Sequence, residues 1–196
     1  MCIESLSSSN QLFCLPLGGK LYEWAAHAER MVNGLNGLRI NFDAAQVNAL
    51  EDVCERVVKE NGLADGEAFV YLEVSRGAAP RTHNFPPIGT QPTVFVSASK
   101  LVVPRKMREE GGAAITFPDM RWKRRDWKTV NLLGNVLARQ AASEAGAYEA
   151  ILHEDGVVTE GAATNVFAVF DGALCTHPLT QRILPASPRK VVMALL

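Results

Sequence analysis

A cluster of basic and aromatic residues contains the lysine best suited to covalent chemistry. Residues 120–128 (MRWKRRDWK) carry five basic residues and two tryptophans, and an apolar helical stretch follows them. A lysine amine attacks a carbonyl in its neutral form, which burial and cationic neighbours favour. Lys128 meets this requirement, because it lies between the cationic cluster and the helix. Composition alone favours a solvated charged loop, and a surface for single-stranded nucleic acid is a third interpretation.

A pair of donor side chains lies in a loop punctuated by glycine and proline. Arg81 and His83 are two residues apart, and alternate residues of an extended segment face the same way. The arginine offers a planar fork of donors and the histidine adds another, so the pair could bind one carboxylate. The ordinary alternative is an arginine that bonds the backbone carbonyls of its own loop.

Two further positions could bind charged parts of a ligand. We expect Glu160 at the end of a strand, where its carboxylate could hold a protonated ring nitrogen or remain an exposed turn acid. His27 and Arg30 are three residues apart and share one face of a predicted helix. From that face Arg30 could bind an anion or simply point to solvent.

Several other chemistries lack their signatures in this chain. There is no glycine-rich nucleotide loop and no Gly-x-Ser-x-Gly elbow, which argues against nucleotide-binding and hydrolase folds. The four cysteines are scattered, so we expect no metal site and reduced thiols in a cytoplasmic protein. The net charge is −1, and no apolar run reaches the roughly 18–20 residues of a membrane helix. We therefore expect neither nucleic acid nor a membrane as a partner.

The elements that must position these residues mix helices and strands, which predicts an α+β fold. The patterns predict helices near residues 23–33, 44–60 and 130–145 and from 189 onward, with a capping box at Asp43 and Gln46. They predict strands over 68–75, 93–98, 113–117, 150–153, 165–170 and 174–176, with Asp-Gly turns at 155–156 and 171–172. The charged segment 104–112 is the predicted boundary between a small domain over 1–107 and a second domain over 108–196.

Three of these segments, in this order and spacing, resemble the fold-type IV pyridoxal-phosphate enzymes, and among them the D-amino-acid aminotransferases. Residues 71–86 (YLEVSRGAAPRTHNFP) resemble the substrate loop of that family, and residues 119–135 (DMRWKRRDWKTVNLLGN) its cofactor-lysine segment. Residues 147–167 (AYEAILHEDGVVTEGAATNVF) resemble its cofactor-ring segment, and residues 19–30 are a looser match to a phosphate-binding helix. The resemblance implies a small α/β domain and an incomplete, larger β-rich domain.

The resemblance also implies roles for individual residues. Lys128 would be the Schiff-base lysine of pyridoxal 5′-phosphate and would shuttle the proton of the substrate α-carbon. Glu160 would pair with the pyridine nitrogen, and Arg30 would bind the cofactor phosphate. Arg81 and His83 would bind the substrate α-carboxylate, the feature that separates the D-amino-acid branch from its branched-chain relatives. The implied activity is transamination of D-amino acids with a 2-oxo acid acceptor by a homodimer.

Tyr71 is a further substrate-binding candidate on the same resemblance, and Ser187 a further cofactor-binding one. Residues 184–189 (LPASPR) stand where the family usually has Leu-Pro-Gly-x-Thr-Arg. Pro188 therefore supplies neither a hydroxyl nor an N–H to a phosphate, and Ser187 is expected to substitute for it in part.

The family's flanking segments have no recognisable counterpart, so we expect a member shortened at both ends. Three alternative functions stay open at this point. They are a branched-chain aminotransferase, an aminodeoxychorismate-lyase-like activity and a non-catalytic remnant of the family.

Overall fold

The computed structural model describes residues 9–14, 16–17, 20–102 and 105–195. The described chain divides into two compact units. The first comprises the residues up to Val102 together with Trp127–Val130, and the second comprises residues 105–126 and 131–195. Lys128 thus belongs to the first unit and Glu160 to the second. The predicted domain boundary at residues 107 and 108 stays a prediction.

The first unit is built on an antiparallel sheet of three strands. These are β1 (Ser9–Cys14), β4 (Ala68–Ser75) and β5 (Thr93–Lys100), in the order β1-β4-β5. A short hairpin of β2 (Pro16–Leu17) and β3 (Lys20–Leu21) lies between β1 and the helices in the chain. Every second residue of β4 is buried, beginning with Ala68, so the alternation that predicts this strand also identifies its core face.

Three helices complete the first unit: α1 (Trp24–Leu38), α2 (Ala44–Asn48) and α3 (Leu50–Glu60). Their most deeply buried apolar residues are Met31, Leu35, Val47, Cys54 and Val58. The capping box is confirmed at the start of α2, where Gln46 N donates to Asp43 Oδ1 over 2.8 Å and Asp43 N donates to Gln46 Oε1 over 2.9 Å.

Helix α1 is longer than predicted, because Gly34 and Gly37 lie inside it and do not end it. Gly34 is buried, and tertiary packing overrides the weak helix propensity of glycine. The helix ends instead at Arg39, whose left-handed φ of 55° turns its N–H back to the carbonyls of Leu35 and Asn36.

The second unit contains a mixed sheet in the order β6-β7-β8. Strand β6 (Ala114–Pro118) runs parallel to β7 (Glu149–Glu154), and β7 pairs antiparallel with β8 (Val157–Gly161). Helix α5 (Leu133–Glu144) is the crossover between the two parallel strands. It packs the small buried residues Ala138 and Ala142 in one cluster with Ala150 and Leu152 of β7.

The remaining elements of the second unit are α4 (Arg105–Glu110), the hairpin of β9 (Phe167–Phe170) and β10 (Ala173–Thr176), and α6 (Ser187–Ala194). Both Asp-Gly turns are confirmed: all four residues have positive φ, between 49° and 80°, as a two-residue hairpin turn requires. Strand β8 was not among the predicted ranges, although it places Glu160 near the end of a strand as expected. The strand predicted from residue 165 begins at Phe167. Within the described residues, no helix is both long enough and apolar enough to cross a membrane.

Candidate functional site

Helix α1 carries a buried histidine and arginine in direct contact. His27 and Arg30 are 7% and 8% exposed, and Arg30 Nη2 lies 3.2 Å from His27 Nδ1. Because a guanidinium only donates, Nδ1 must accept this hydrogen bond and the imidazole carries its proton on Nε2. Burial, reinforced by the positive charges of Arg30 and Lys128, lowers the pKa of His27 to about 4. The solvent-exposed interpretation of Arg30 is wrong.

Lys128 belongs to the same unit and is half-buried. Its charge and that of Arg30 both lower the pKa of His27, so the lysine acts electrostatically on the imidazole that contacts Arg30. The residue before it, Trp127, packs its indole ring directly on Gly37 of α1, where a Cβ would lie 2.8 Å from Nε1. This close packing fixes the backbone from which the Lys128 side chain extends.

The loop after β4 encloses a cavity of about 420 Å³ that Arg81 and His83 both line. The structure therefore brings this predicted pair together, and both side chains are exposed. The base of the loop is held by Arg76, which donates to the carbonyls of Leu38 and Arg39 at the end of α1. The Arg76 guanidinium also stacks on the Phe85 ring, 3.7 Å from its centroid. These contacts therefore show Arg76, rather than Arg81, donating to backbone carbonyls.

Tyr71 lies in the middle of β4 on the half-buried face of the sheet. Its hydroxyl donates to the Glu73 carboxylate, and its ring contacts Phe95 edge-on at a centroid distance of 6.0 Å. It does not line the cavity that holds Arg81 and His83.

Glu160 is the penultimate residue of β8 in the second unit, and its side chain is 4% exposed. The alternative interpretation of Glu160 as an exposed acid in a turn is therefore wrong. Its carboxylate accepts from Arg121, from Asn165 Nδ2 over 2.9 Å and from the Leu184 N–H over 3.1 Å. Burial raises the pKa of Glu160, and the charge of Arg121 opposes this rise. Such a carboxylate suits recognition of a cationic group in a dry environment.

Arg121 and Arg125 were missed as members of a site, because the segment was interpreted as a solvated loop. Their side chains are only 6% and 3% exposed. Arg121 binds Asp119 and Glu160, and Arg125 binds Asp119 and Glu154. The acid Asp119, two residues before Arg121, is the one local signal that could have indicated a buried ion pair. These contacts make both guanidinium groups poorly available to nucleic acid phosphates.

Ser187 is the first residue of α6 and is buried at 3% exposure. Its hydroxyl makes no hydrogen bond within the described part of the chain. A buried polar group without a partner costs free energy, so it marks a position for a polar ligand atom. Pro188 occupies the next helical position, where its missing N–H removes one donor, as predicted from its type.

Comparisons with known proteins place the whole chain in one group. The family model for class IV amino-transferases matches residues 13–196. A D-alanine aminotransferase of Staphylococcus epidermidis is 39% identical over 176 residues, which cover 89% of this chain and 61% of that protein. The chain thus spans about three fifths of the length of this relative.

Solved structures agree with the family model. The branched-chain amino acid aminotransferase of Escherichia coli matches with a TM-score of 0.85 at 22% identity, over 99% of this chain and 68% of that one. A hypothetical aminotransferase from Mycobacterium tuberculosis, in a form with bound α-ketoglutarate and PMP, matches with a TM-score of 0.78 at 21% identity, over 99% and 69% of the two chains.

These likenesses confirm the predicted α+β fold and its fold-type IV architecture. The family model covers almost the entire chain, and the relative from Staphylococcus extends the likeness to the sequence itself. The chain belongs to the class IV aminotransferase family.

Proposed function

We propose that this protein is a pyridoxal 5′-phosphate-dependent aminotransferase that acts on D-amino acids and a 2-oxo acid acceptor. The observation that carries the proposal is an electrostatic cluster, in which the buried Arg30 contacts a neutral His27 and the charge of Lys128 acts on the same imidazole. Such a cluster combines an amine for carbonyl chemistry with a fixed positive charge for a phosphate. The 39% identity to a D-alanine aminotransferase supports the choice of D-amino acids.

The residues of the chain fit pyridoxal 5′-phosphate. In the first unit, Lys128 would bind its aldehyde carbon and Arg30 would bind its phosphate. In the second unit, the buried hydroxyl of Ser187 is a further candidate donor to a phosphate. Glu160 would bind the protonated pyridine nitrogen, because its buried carboxylate retains room for another donor. When bound, the cofactor supplies an electron-withdrawing ring that stabilises negative charge on the substrate α-carbon.

The protein's own residues would move the proton and orient the substrate. Lys128 Nζ would accept the α-proton and return it to a neighbouring carbon, since its flexible chain ends at the reaction centre. Neutral His27 would hold Arg30 in place through its Nδ1 acceptor. Arg81 and His83 would bind the α-carboxylate of the amino acid in their shared cavity.

We also propose that the protein acts as a homodimer in the cytoplasm. Support for association comes from an apolar stripe on α5, where Leu133, Val136 and Leu137 are 73%, 57% and 47% exposed. Exposed apolar clusters of this kind mark surfaces that another chain covers. The cytoplasmic location stays a prediction from the scattered cysteines.

The direct test is a half-reaction of the purified, cofactor-loaded protein with single enantiomers. D-alanine should abolish the visible absorption of the cofactor, and a 2-oxo acid should restore it, because the amino group leaves and returns. Lys128→Ala should slow both steps by at least about a hundredfold, the usual contribution of a general base. Lys123→Ala is the matched control, because it removes an exposed lysine from the same segment.

The alternatives give different results in this test. Reaction with L-amino acids only would indicate a branched-chain aminotransferase, and release of pyruvate without amino transfer would indicate lyase activity. A loaded protein that reacts with neither enantiomer would be a non-catalytic remnant. Any of these three results would overturn the proposal.

A further inference from the structure

Charged side chains of the second unit form one continuous chain of alternating sign. Each pair of neighbours in it forms an ion pair. The N–O distances are 2.7 Å between Arg121 and Asp119 and 3.3 Å between Asp119 and Arg125. Glu154 lies 3.1 Å from both Arg125 and Arg182. The members, in order, are Glu160, Arg121, Asp119, Arg125, Glu154 and Arg182. The first four side chains are at most 6% exposed, and the last two are about one third exposed. The chain therefore runs from a buried carboxylate to the surface.

Arg121 divides its guanidinium unequally between two carboxylates. Its Nε and Nη2 donate to the two oxygens of Asp119 over 2.9 and 2.7 Å, whereas only Nη1 donates to Glu160. Asp119 is held in turn by the Thr159 hydroxyl over 2.6 Å. The bidentate contact with Asp119 fixes the plane of the arginine, and the remaining N–H fixes one oxygen of Glu160.

The carboxylate of Glu160 is held from several sides but not saturated. The side chains of Arg121 and Asn165 and the N–H of Leu184 supply its three donor groups. The single hydrogen of the Leu184 N–H is shared between the two carboxylate oxygens, each 3.1 Å from the nitrogen. Three hydrogens therefore face the roughly four lone-pair positions of an ionised carboxylate, and one further donor can bind. All three present partners donate, and a protonated carboxyl would leave one of them without an acceptor.

Charge balance also favours the ionised form of Glu160. The chain contains three arginines and three acids, so it is neutral when every acid is ionised. Burial raises the pKa of Glu160, and Arg121 is the first group that opposes the rise. Burial also acts to raise the pKa of Asp119, but hydrogen bonds from Arg121 and Thr159 outweigh it and lower that pKa. Removal of Arg121 would leave two buried carboxylates without their shared cation.

We propose that Arg121 is a positioning residue that holds Glu160 as an oriented carboxylate for a protonated ring nitrogen, while Asp119 takes up the rest of the arginine's charge. The inference rests on the proposed function for the identity of that ring. Because Asp119 already neutralises much of Arg121, Glu160 keeps its attraction for a second cation. A lone arginine on Glu160 would weaken that attraction.

The test begins with the cofactor-free protein, so that it does not depend on the proposed activity. Infrared difference spectra against Glu160→Gln report whether the Glu160 carboxyl is ionised near neutral pH. Wild type should show a carboxylate, and Arg121→Met should show a protonated carboxyl. Arg124→Met is the matched control, because Arg124 pairs with Asp126 outside the chain of charges and is 40% exposed. It should leave the Glu160 carboxylate band unchanged.

A second readout is the affinity for pyridoxal 5′-phosphate, measured by titration of each variant with circular dichroism as the check of folding. Arg121→Met should weaken binding by about tenfold or more, the usual effect of losing a charged hydrogen-bond network. Arg121→Lys retains the charge but loses the fork, so it should keep Glu160 ionised and still bind the cofactor more weakly than wild type.

An ionised Glu160 with unchanged cofactor affinity in folded Arg121→Met would overturn the proposal. If Arg121→Met does not fold, Arg121→Lys decides alone, and wild-type affinity in that variant would overturn it. If wild type binds no cofactor, the proposed function fails, but the infrared comparison still decides whether Arg121 sets the ionisation of Glu160.

Discussion

Protonation of His27 should destabilise the folded protein as the pH falls below about 6.5. Burial, together with Arg30 and Lys128, lowers the pKa of His27 from 6.5 to about 4 in the folded state. Between these two values the unfolded chain binds a proton that the folded chain does not bind. Folding stability therefore decreases as the pH decreases across this window, and it is fully present above pH 6.5.

The size of the effect follows from the difference between the two pKa values. Each pKa unit corresponds to about 1.4 kcal/mol, so the complete loss of stability on reaching pH 4 is about 3 kcal/mol. Lowering the pH from about 7.5 to about 5 covers roughly 2 kcal/mol of this loss. His27 is only 7% exposed, so little of the effect is lost to solvent screening.

The assay compares urea unfolding of wild type and His27→Asn at these two pH values. Asparagine can accept from Arg30 near the position of Nδ1 but does not titrate, so the difference between the two proteins isolates the imidazole. The variant should lose about 2 kcal/mol less than wild type on acidification. Direct titration of the His27 ring by NMR gives the same pKa independently, and Lys128→Met should raise it.

Parallel loss of stability in the two proteins would refute this reasoning. It would mean that His27 is protonated alike in the folded and unfolded states. The imidazole would then not be buried within the influence of two cations, and the electrostatic cluster with Lys128 and Arg30 would lose its physical basis.

Three further predictions concern packing and anion binding. Gly37→Ala should destabilise the protein by about 1–2 kcal/mol in urea unfolding, because the added Cβ collides with the rigid Trp127 ring and the gain in helix propensity offsets this only in part. Asp43→Ala should cost about 1 kcal/mol in the same assay, because it removes the capping box. Ser187→Ala should weaken and Pro188→Thr should tighten the binding of pyridoxal 5′-phosphate, each by about tenfold in a titration; equal affinities would exclude the start of α6 from the phosphate site.

Elements with a local signal could be predicted from the sequence. Alternation identifies β4, an acid with a glutamine three residues later identifies the start of α2, and Asp-Gly pairs identify both hairpin turns. Strand β8 directly follows the Asp155-Gly156 turn that pairs it with β7, and it was missed despite that local signal. Strand β1 lacks such a pattern and forms through its pairing with β4, which lies far from it in the sequence. Pairing partners distant in sequence are not visible in a local window.

The candidate site likewise contains residues with a local signal in the sequence and residues without one. Lys128 is a candidate from its own segment, whereas the burial of Arg121 depends on Glu160, 39 residues away. The contact between Thr159 and Asp119 spans 40 residues. A run of basic residues is usually solvated, so only the fold reveals that two of these arginines are buried in ion pairs.

The most direct test of the central claim is the position of the lysine that binds the cofactor. The purified protein would be incubated with pyridoxal 5′-phosphate, reduced with borohydride to fix the bond, digested and mapped by mass spectrometry. We predict one dominant adduct, on Lys128, that Lys128→Ala abolishes and Lys123→Ala retains. An adduct on another residue, or adducts spread over the surface lysines, would contradict the assignment of Lys128.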